Sequence, residues 1–335
     1  MKKLLLTTAA CTTAASALFA QSLSINAPGY SGGKLFDASP GFTITGLAAA
    51  PGGDVFYIET DSAFNATSKL YRRSAGDGYA VATTLFDFGS PVFGSFVRWD
   101  SGRVFFGESS TGAVRLMRPD LSIDALGSVA GNYDAAQAGG SLFLSHNAGG
   151  FSPQNKVSRY DLVPDGSGGL ALGAADTIVD TPDDYSGPIV FSPAGDLFYG
   201  GSGFFARPNL FRFTAAEVAA ATGAGPTLGL DAPHQFFANG TNAYLALADI
   251  GTLWHTDFGT LDRIDLGAVT SAPVASSPDF GIGQLDVADG KLFAAVTNSS
   301  FDHSAVFWVV PEPSSALLLV LGLAALTPRR RCHMG

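Results

Sequence analysis

Cysteine is almost missing from this chain: its only two, Cys11 and Cys332, lie in the terminal segments. The body between them therefore has no disulfide, no thiolate metal ligand and no thiol nucleophile, and its stability rests on packing alone. Charge is scarce as well, at 14% of residues against 46% hydrophobic residues and 41 glycines. That balance excludes a disordered chain or a coiled coil, and the glycine content points to many tight turns. Basic residues are the scarcer sign. Of the 19, five (Lys2, Lys3, Arg329, Arg330 and Arg331) sit at the two ends, leaving 14 against 29 acidic residues and a body near −15. Such a surface repels nucleic acid and anionic lipid. Familiar catalytic signatures are also lacking. There is no Gly-x-Ser-x-Gly elbow, His-Glu-x-x-His helix, phosphate loop or dinucleotide fingerprint, and Gly201-Ser202-Gly203 reads as a turn.

The two ends carry an address. Met1, Lys2 and Lys3 precede Leu4, Leu5 and Leu6 and a run of small and apolar residues to Ala20, the pattern of a secretory signal peptide over residues 1–20. Ala15 and Ala17 favour cleavage after Ala17, while cleavage after Ala20 leaves Leu18 at the third position before the cut; both stay open. Cys11 lacks the leucine expected three residues upstream in a lipoprotein. At the other end, Val310, Pro311, Glu312, Pro313, Ser314 and Ser315 lead into an apolar run from Ala316 to Leu326, closed by Arg329, Arg330 and Arg331. Residues 311–335 thus hold a Pro-Glu-Pro motif, an apolar helix and a basic cluster in that order, and they resemble a PEP-CTERM sorting signal. The resemblance covers only this tail. It implies signal peptidase and the secretion machinery as early partners, then an exosortase that recognises Pro311, Glu312 and Pro313 and cuts there. The product passes from an inner-membrane intermediate to the cell surface or extracellular matrix. Arginines resist translocation, so the basic cluster stays cytoplasmic and the body is held outside. Only 15 residues separate Pro313 from Arg329, where a spanning helix needs about 20. Arginines reaching back to the interface supply part of the difference. An anchor that is never cut is the other reading of the same residues.

After a linker over residues 21–32, residues 33–310 repeat one unit six times. Each has a strand opening after a glycine with a hydrophobic and aromatic pair: Gly53-Asp54-Val55-Phe56-Tyr57, Gly102-Arg103-Val104-Phe105-Phe106, Gly140-Ser141-Leu142-Phe143-Leu144 and Gly195-Asp196-Leu197-Phe198-Tyr199. Gly240-Thr241-Asn242-Ala243-Tyr244 and Gly290-Lys291-Leu292-Phe293-Ala294 complete the set, at intervals of 49, 38, 55, 45 and 50 residues. Third strands follow with two-residue alternation, such as Lys69-Leu70-Tyr71-Arg72, Thr252-Leu253-Trp254-His255 and Ala305-Val306-Phe307-Trp308. Fourth strands such as Leu85-Phe86-Asp87-Phe88 and Arg263-Ile264-Asp265-Leu266 follow in five units, but the sixth has none of its own. Lys34-Leu35-Phe36-Asp37, ahead of unit one, fits that vacancy and closes a ring. The expected fold is all-β: a six-bladed β-propeller of four-stranded blades whose N-terminal strand completes the last blade, followed by a C-terminal hydrophobic helix. A β-sandwich or solenoid accounts for the strand count but not for the displaced fourth strand. Thr214 to Ala221, with Thr214 as N-cap and Glu217 three residues on, is the one helical candidate in the body.

In a propeller the loops between second and third strands share a face with the start of each first strand, beside the central channel. Polar residues there are Glu59, Asp61, Glu108, Asp134, His146, Asn147, His234, Asp249, Gln284 and Asn298. Such a mouth suits a divalent cation, calcium above all, or a sugar; taken singly, each residue also reads as a solvated loop or turn former. Loops 145–155 and 200–209 add Phe151, Phe204 and Phe205, which suit stacking on a sugar or folding back over the blade. The sequons at Asn65, Asn239 and Asn298 carry little weight in a bacterial chain. Two functions stay open: a non-enzymatic surface propeller without a cofactor, binding polysaccharide or an envelope protein, and a calcium-dependent extracellular enzyme of the lactonase or sugar dehydrogenase type.

Overall fold

The computed structural model describes residues 21–62, 67–89, 91–147, 153–182, 184–201, 209–223, 225–238, 242–278 and 280–312. The first two strands, β1 (Ser24–Ile25) and β2 (Tyr30–Asp37), belong to blades that the chain completes only at its other end. Blade one comprises β3 (Phe42–Ala49), β4 (Val55–Asp61), β5 (Ser68–Arg73) and β6 (Ala82–Asp87). Blade two comprises β7 (Gly94–Asp100), β8 (Arg103–Glu108), β9 (Ala113–Met117) and β10 (Ile123–Ser128). Blade three is β11 (Asn132–Ala138), β12 (Ser141–Asn147), β13 (Asn155–Pro164) and β14 (Leu170–Thr181). Blade four is β15 (Ile189–Phe191), β16 (Leu197–Gly200), β17 (Leu210–Phe213) and β18 (Gln235–Phe237), with helix α1 (Ala215–Ala221) between its last two strands. Blade five is β19 (Tyr244–Asp249), β20 (Thr252–Thr256), β21 (Thr260–Asp265) and β22 (Thr270–Ser276), and β1 pairs onto its outer edge. Blade six is β23 (Phe280–Ala288), β24 (Lys291–Asn298) and β25 (Ser304–Pro311), and its fourth strand is β2.

A second strand has partners on both edges and blades against both faces, so its sequence is a continuous apolar run. Val55-Phe56-Tyr57-Ile58, Val104-Phe105-Phe106 and Leu142-Phe143-Leu144 are all buried. Alternate side chains enter different interfaces: Val55 and Tyr57 pack toward blade six, Phe56 and Ile58 toward blade two. Six hydrophobic clusters form among the described residues, one at each blade-to-blade interface. The glycines that punctuate the repeat have a backbone reason. In the two-residue turns Ser101-Gly102 and Asp289-Gly290 both positions take positive φ (50° and 83°, 50° and 72°), as the right-handed strand twist of a tight hairpin requires. Helix α1 forms where expected, with Thr214 and Glu217 capping each other reciprocally and Val218 and Ala221 buried between blades three and four.

Two expectations need correction. In blade five the strands are displaced by one: Tyr244–Asp249 is the first strand, Thr252–Thr256 the second and Thr260–Asp265 the third. The cause is compositional. Ala243-Tyr244-Leu245-Ala246-Leu247 has the continuous apolar character of a second strand, whereas the true second strand begins and ends in threonine. The stretch 21–32 is also more than a linker, since it supplies β1 and the start of β2 and buries Gln21 at 3% exposure. Among the described residues no helix is long and apolar enough to cross a membrane, and the signal peptide and C-terminal helix expected from the sequence lie outside those residues.

Ring closure depends on Phe36 in β2. It is 6% exposed, its ring lies 5.0 Å from that of Tyr57, and the Arg73 guanidinium sits 4.6 Å above it. Phe36→Ala is expected to lower unfolding free energy by about 3–5 kcal/mol in denaturant titration. A change under about 1 kcal/mol would show that the closing strand bears little of the fold's stability.

Candidate functional site

The six first strands, β3, β7, β11, β15, β19 and β23, line a central channel, and the structure closes it in the middle. Tyr133 and Tyr244 stack across it with ring centroids 6.2 Å apart and planes 10° from parallel. The Tyr133 hydroxyl donates to the carbonyl of Ala243 at 3.1 Å. Burial raises the pKa of both phenols, so both stay neutral hydrogen-bonding groups. Next along the channel, Arg98 Nη2 lies 2.6 Å from Asp134 and its Nε donates to Ala135 O at 2.7 Å. Burial works against the Arg98 charge, but Asp134 and Asp286 beside it hold the guanidinium above its ordinary range. For Asp134 and Asp286 burial prevails and both carboxyls are pushed up. Asp134 also accepts from Ile189 N at 2.9 Å, and Asp286 from Ala49 N at 2.8 Å, so both acids tie one blade to the next.

This septum leaves a cavity at each end. On the face of the second-to-third-strand loops the cavity is about 250 Å³, lined by Thr43, Thr45, Ser95, Tyr244, Phe258 and Phe301 among others. On the opposite face, that of the first-to-second-strand turns, it is about 460 Å³. Small side chains (Ala135, Ala136, Ala138 and Ala246) leave this second space open.

The residues expected at the mouth are placed as follows. Glu59, 2% exposed, accepts from Ser39 N at 3.0 Å. Glu108, 1% exposed, accepts from Thr111 N at 2.9 Å, from the Thr111 hydroxyl and from Ala113 N at 3.2 Å. The Glu108 carboxylate organises its own loop, while Glu59 has one oxygen on the Ser39 amide and the other buried without a hydrogen-bond partner. His146 is buried with Nε2 2.9 Å from the Ser158 hydroxyl, and burial chiefly, then the Lys156 cation, lowers its pKa to about 4. Among the described residues its Nδ1 has no hydrogen-bond partner. Gln284 Nε2 donates to Thr45 O at 2.8 Å, joining blades six and one. His234 lies elsewhere, in the turn before β18, 4.8 Å from the Phe213 ring and 3.5 Å from Glu217. Asp249 forms the first turn of blade five, accepting from Gly251 N at 2.7 Å, as follows from the displaced strands there. Asn298 closes its own loop through Asp302 at 2.6 Å, while Asp61 and Asn147 end β4 and β12. Pro311 ends β25 opposite Tyr30, and Glu312 N donates to Gly29 O at 2.8 Å. Phe151, Phe204, Phe205, Pro313, Arg329, Arg330 and Arg331 lie outside the described residues.

Calcium asks for six to eight oxygen ligands. Among the described residues no group of three or more His, Cys, Asp or Glu side chains is placed to hold a metal ion. Sequence reasoning missed the mouth's aromatic pair. Phe258 and Phe301 lie in the second-to-third-strand loops of blades five and six, with φ of +80° and +56°. A bulky residue in the left-handed region is strained and is found where surrounding structure imposes it, often at ligand sites. Phe301 is 40% exposed. Arg98 and Asp286 did leave a trace: each is a charge inside an otherwise apolar first strand, Phe96-Val97-Arg98-Trp99 and Leu285-Asp286-Val287.

No protein-family model matches the chain, and no curated protein does. Solved structures do. A gluconolactonase from Xanthomonas campestris is 15% identical with a TM-score of 0.59, covering 87% of this chain and 95% of its own. A calcium-binding regucalcin from Agrobacterium tumefaciens is 14% identical with a TM-score of 0.56, over 85% and 96%. The PQQ-bound aldose sugar dehydrogenase from Streptomyces coelicolor is 15% identical with a TM-score of 0.51, over 84% and 98%. At such identity the likeness establishes the fold alone: the chain is a six-bladed β-propeller with four-stranded blades.

The His146 environment sets a pH dependence. With a folded pKa near 4 and an unfolded value near 6.5, the unfolded chain takes up the proton first as pH falls, so stability is lost between about 6.5 and 4. Relative to His146→Gln, the wild type is expected to lose roughly 3 kcal/mol more unfolding free energy between pH 7 and pH 4. Parallel pH profiles for the two proteins would contradict the buried neutral imidazole.

Proposed function

We propose that this chain is an exported, non-enzymatic binding propeller that engages extracellular polysaccharide through the mouth formed by its second-to-third-strand loops. The observation that carries this reading is the pair Phe258 and Phe301, both with left-handed backbone, beside the hydroxyls of Thr43, Thr45 and Ser95. Aromatic faces with neutral hydroxyls match the alternating C–H faces and hydroxyl edges of a sugar ring, and such a surface binds without a metal. The Glu108 carboxylate, taken up by Thr111 and Ala113, supports the same choice. The alternative, a calcium-dependent extracellular enzyme, shares its fold with a lactonase and a sugar dehydrogenase, but among the described residues no three His, Cys, Asp or Glu side chains gather to hold a metal.

The route to the surface is part of the proposal: signal peptidase removes the N-terminal segment, and an exosortase processes the tail at Pro311-Glu312-Pro313. The position of Pro311 at the very end of β25 supports it, because the motif begins where the propeller ends. Intact-mass analysis of protein recovered from the native envelope and medium is expected to find chains ending within Pro311–Pro313 and absent from the membrane. A membrane-bound species that retains Arg331 would contradict processing.

Binding is tested by titrating host extracellular polysaccharide. Phe301→Ala is expected to weaken it about tenfold, the loss of roughly 1.4 kcal/mol of ring contact. Phe301→Gly is expected to weaken it equally while holding or raising the melting midpoint, since glycine relieves roughly 1–2 kcal/mol of left-handed strain. Unchanged affinity in both variants would overturn the assignment of the mouth.

A further inference from the structure

The larger cavity lies on the face away from the loops and takes no part in the binding proposed above. We infer that it is a second, separate binding site, for a neutral sugar ring. Its volume of about 460 Å³ falls within the range of about 300–1,000 Å³ typical of small-molecule sites. It is not an apolar void. Arg98 and Asp286 line it, and Asp134 is paired to Arg98 behind them. Gln137 lines it too, and the amide nitrogen of Gln137 is buried with no hydrogen-bond partner. A buried amide donor without an acceptor is costly in a folded protein and marks a place where a partner is missing.

The charges narrow the ligand. The one guanidinium in the wall is already matched by Asp134 and Asp286, and Asp100 lies in the lining as well, so a carboxylate or phosphate ligand meets no uncommitted cation. A simple ammonium satisfies Asp286 but brings no acceptor for Gln137. A neutral molecule with several hydroxyls answers both, donating to the Asp286 carboxylate while accepting from Gln137 and Arg98. Trp99 and Phe191, also in the lining, supply the flat apolar surface that favours a ring over a linear polyol. The Tyr133–Tyr244 stack separates this site from the loop-side mouth, so the two are occupied independently.

The test uses the mature chain, titrated with D-glucose, D-galactose, sorbitol, glucuronate and methylammonium while tryptophan emission and heat are followed. A neutral monosaccharide is expected to bind and to change the emission, and that change is expected to vanish in Trp99→Phe. Gln137→Leu removes the unpartnered amide and so folds at least as stably; it is expected to weaken glucose binding tenfold or more. Phe301→Ala is expected to leave glucose binding and the Trp99 signal unchanged, and Gln137→Leu to leave polysaccharide binding unchanged, so either site can fail alone. The proposal is overturned if no neutral monosaccharide binds at tens of millimolar, if glucuronate, methylammonium or sorbitol binds as tightly as glucose, or if Gln137→Leu binds glucose like the wild type.

Discussion

The pairing of β2 with β25 is the interaction on which the rest of the molecule depends. Its register runs from Tyr30 opposite Pro311 to Asp37 opposite Ala305, so the second described strand is hydrogen-bonded to the last. Without it, blade six has an open edge and blade one loses Phe36 from its interface with blade six, and unpaired edges invite association between chains. The same seam is crossed deeper in by Gln284 to Thr45 and by Asp286 to the Ala49 amide. Thr43 and Thr45 line one cavity and Asp286 the other. The channel therefore acquires both its ends only when the two termini of the body have met.

Polar atoms near the axis are spent largely on joining blades. Arg98 bonds the Ala135 carbonyl, Asp134 the Ile189 amide, and the Thr256 hydroxyl the Ile282 carbonyl. Ser68 bonds the Gly94 amide, where a Cβ on Gly94 would come within 2.5 Å of Ile58. A ring of blades has no single central core, and its interfaces carry that role. Buried polar groups there fix the relative position of neighbouring sheets because leaving any of them unpaired costs more than a surface bond gains. Gln137, Glu59 and His146 depart from this economy, each with one buried polar atom unpaired, and strained phenylalanines stand at the loop end of the channel.

Much of the fold was legible in the sequence because the second strands, buried on both faces, repeat a distinctive apolar run after glycine. The closing strand was legible because Lys34-Leu35-Phe36-Asp37 matched a vacancy in unit six. Blade five misled for the same reason in reverse, its first strand being the more apolar one. The site was far less legible. Glu59 and Glu108 stand at the expected strand ends, yet a strand end says nothing about whether a carboxylate turns outward or accepts backbone N–H groups. Phe258 and Phe301 looked like ordinary loop residues, since backbone dihedrals are not written in composition. Asp134 was placed near the channel from sequence, but its partner Arg98 lies 36 residues away, on the neighbouring blade.

The central claim is that the loop-side mouth binds through aromatic rings and hydroxyls and needs no metal. Its most direct test is the binding of host extracellular polysaccharide to protein stripped with a chelator, measured with and without added calcium. Equal affinity in both conditions is the predicted result. Affinity lost on stripping and restored by calcium would contradict the account and return the protein to the calcium-dependent class.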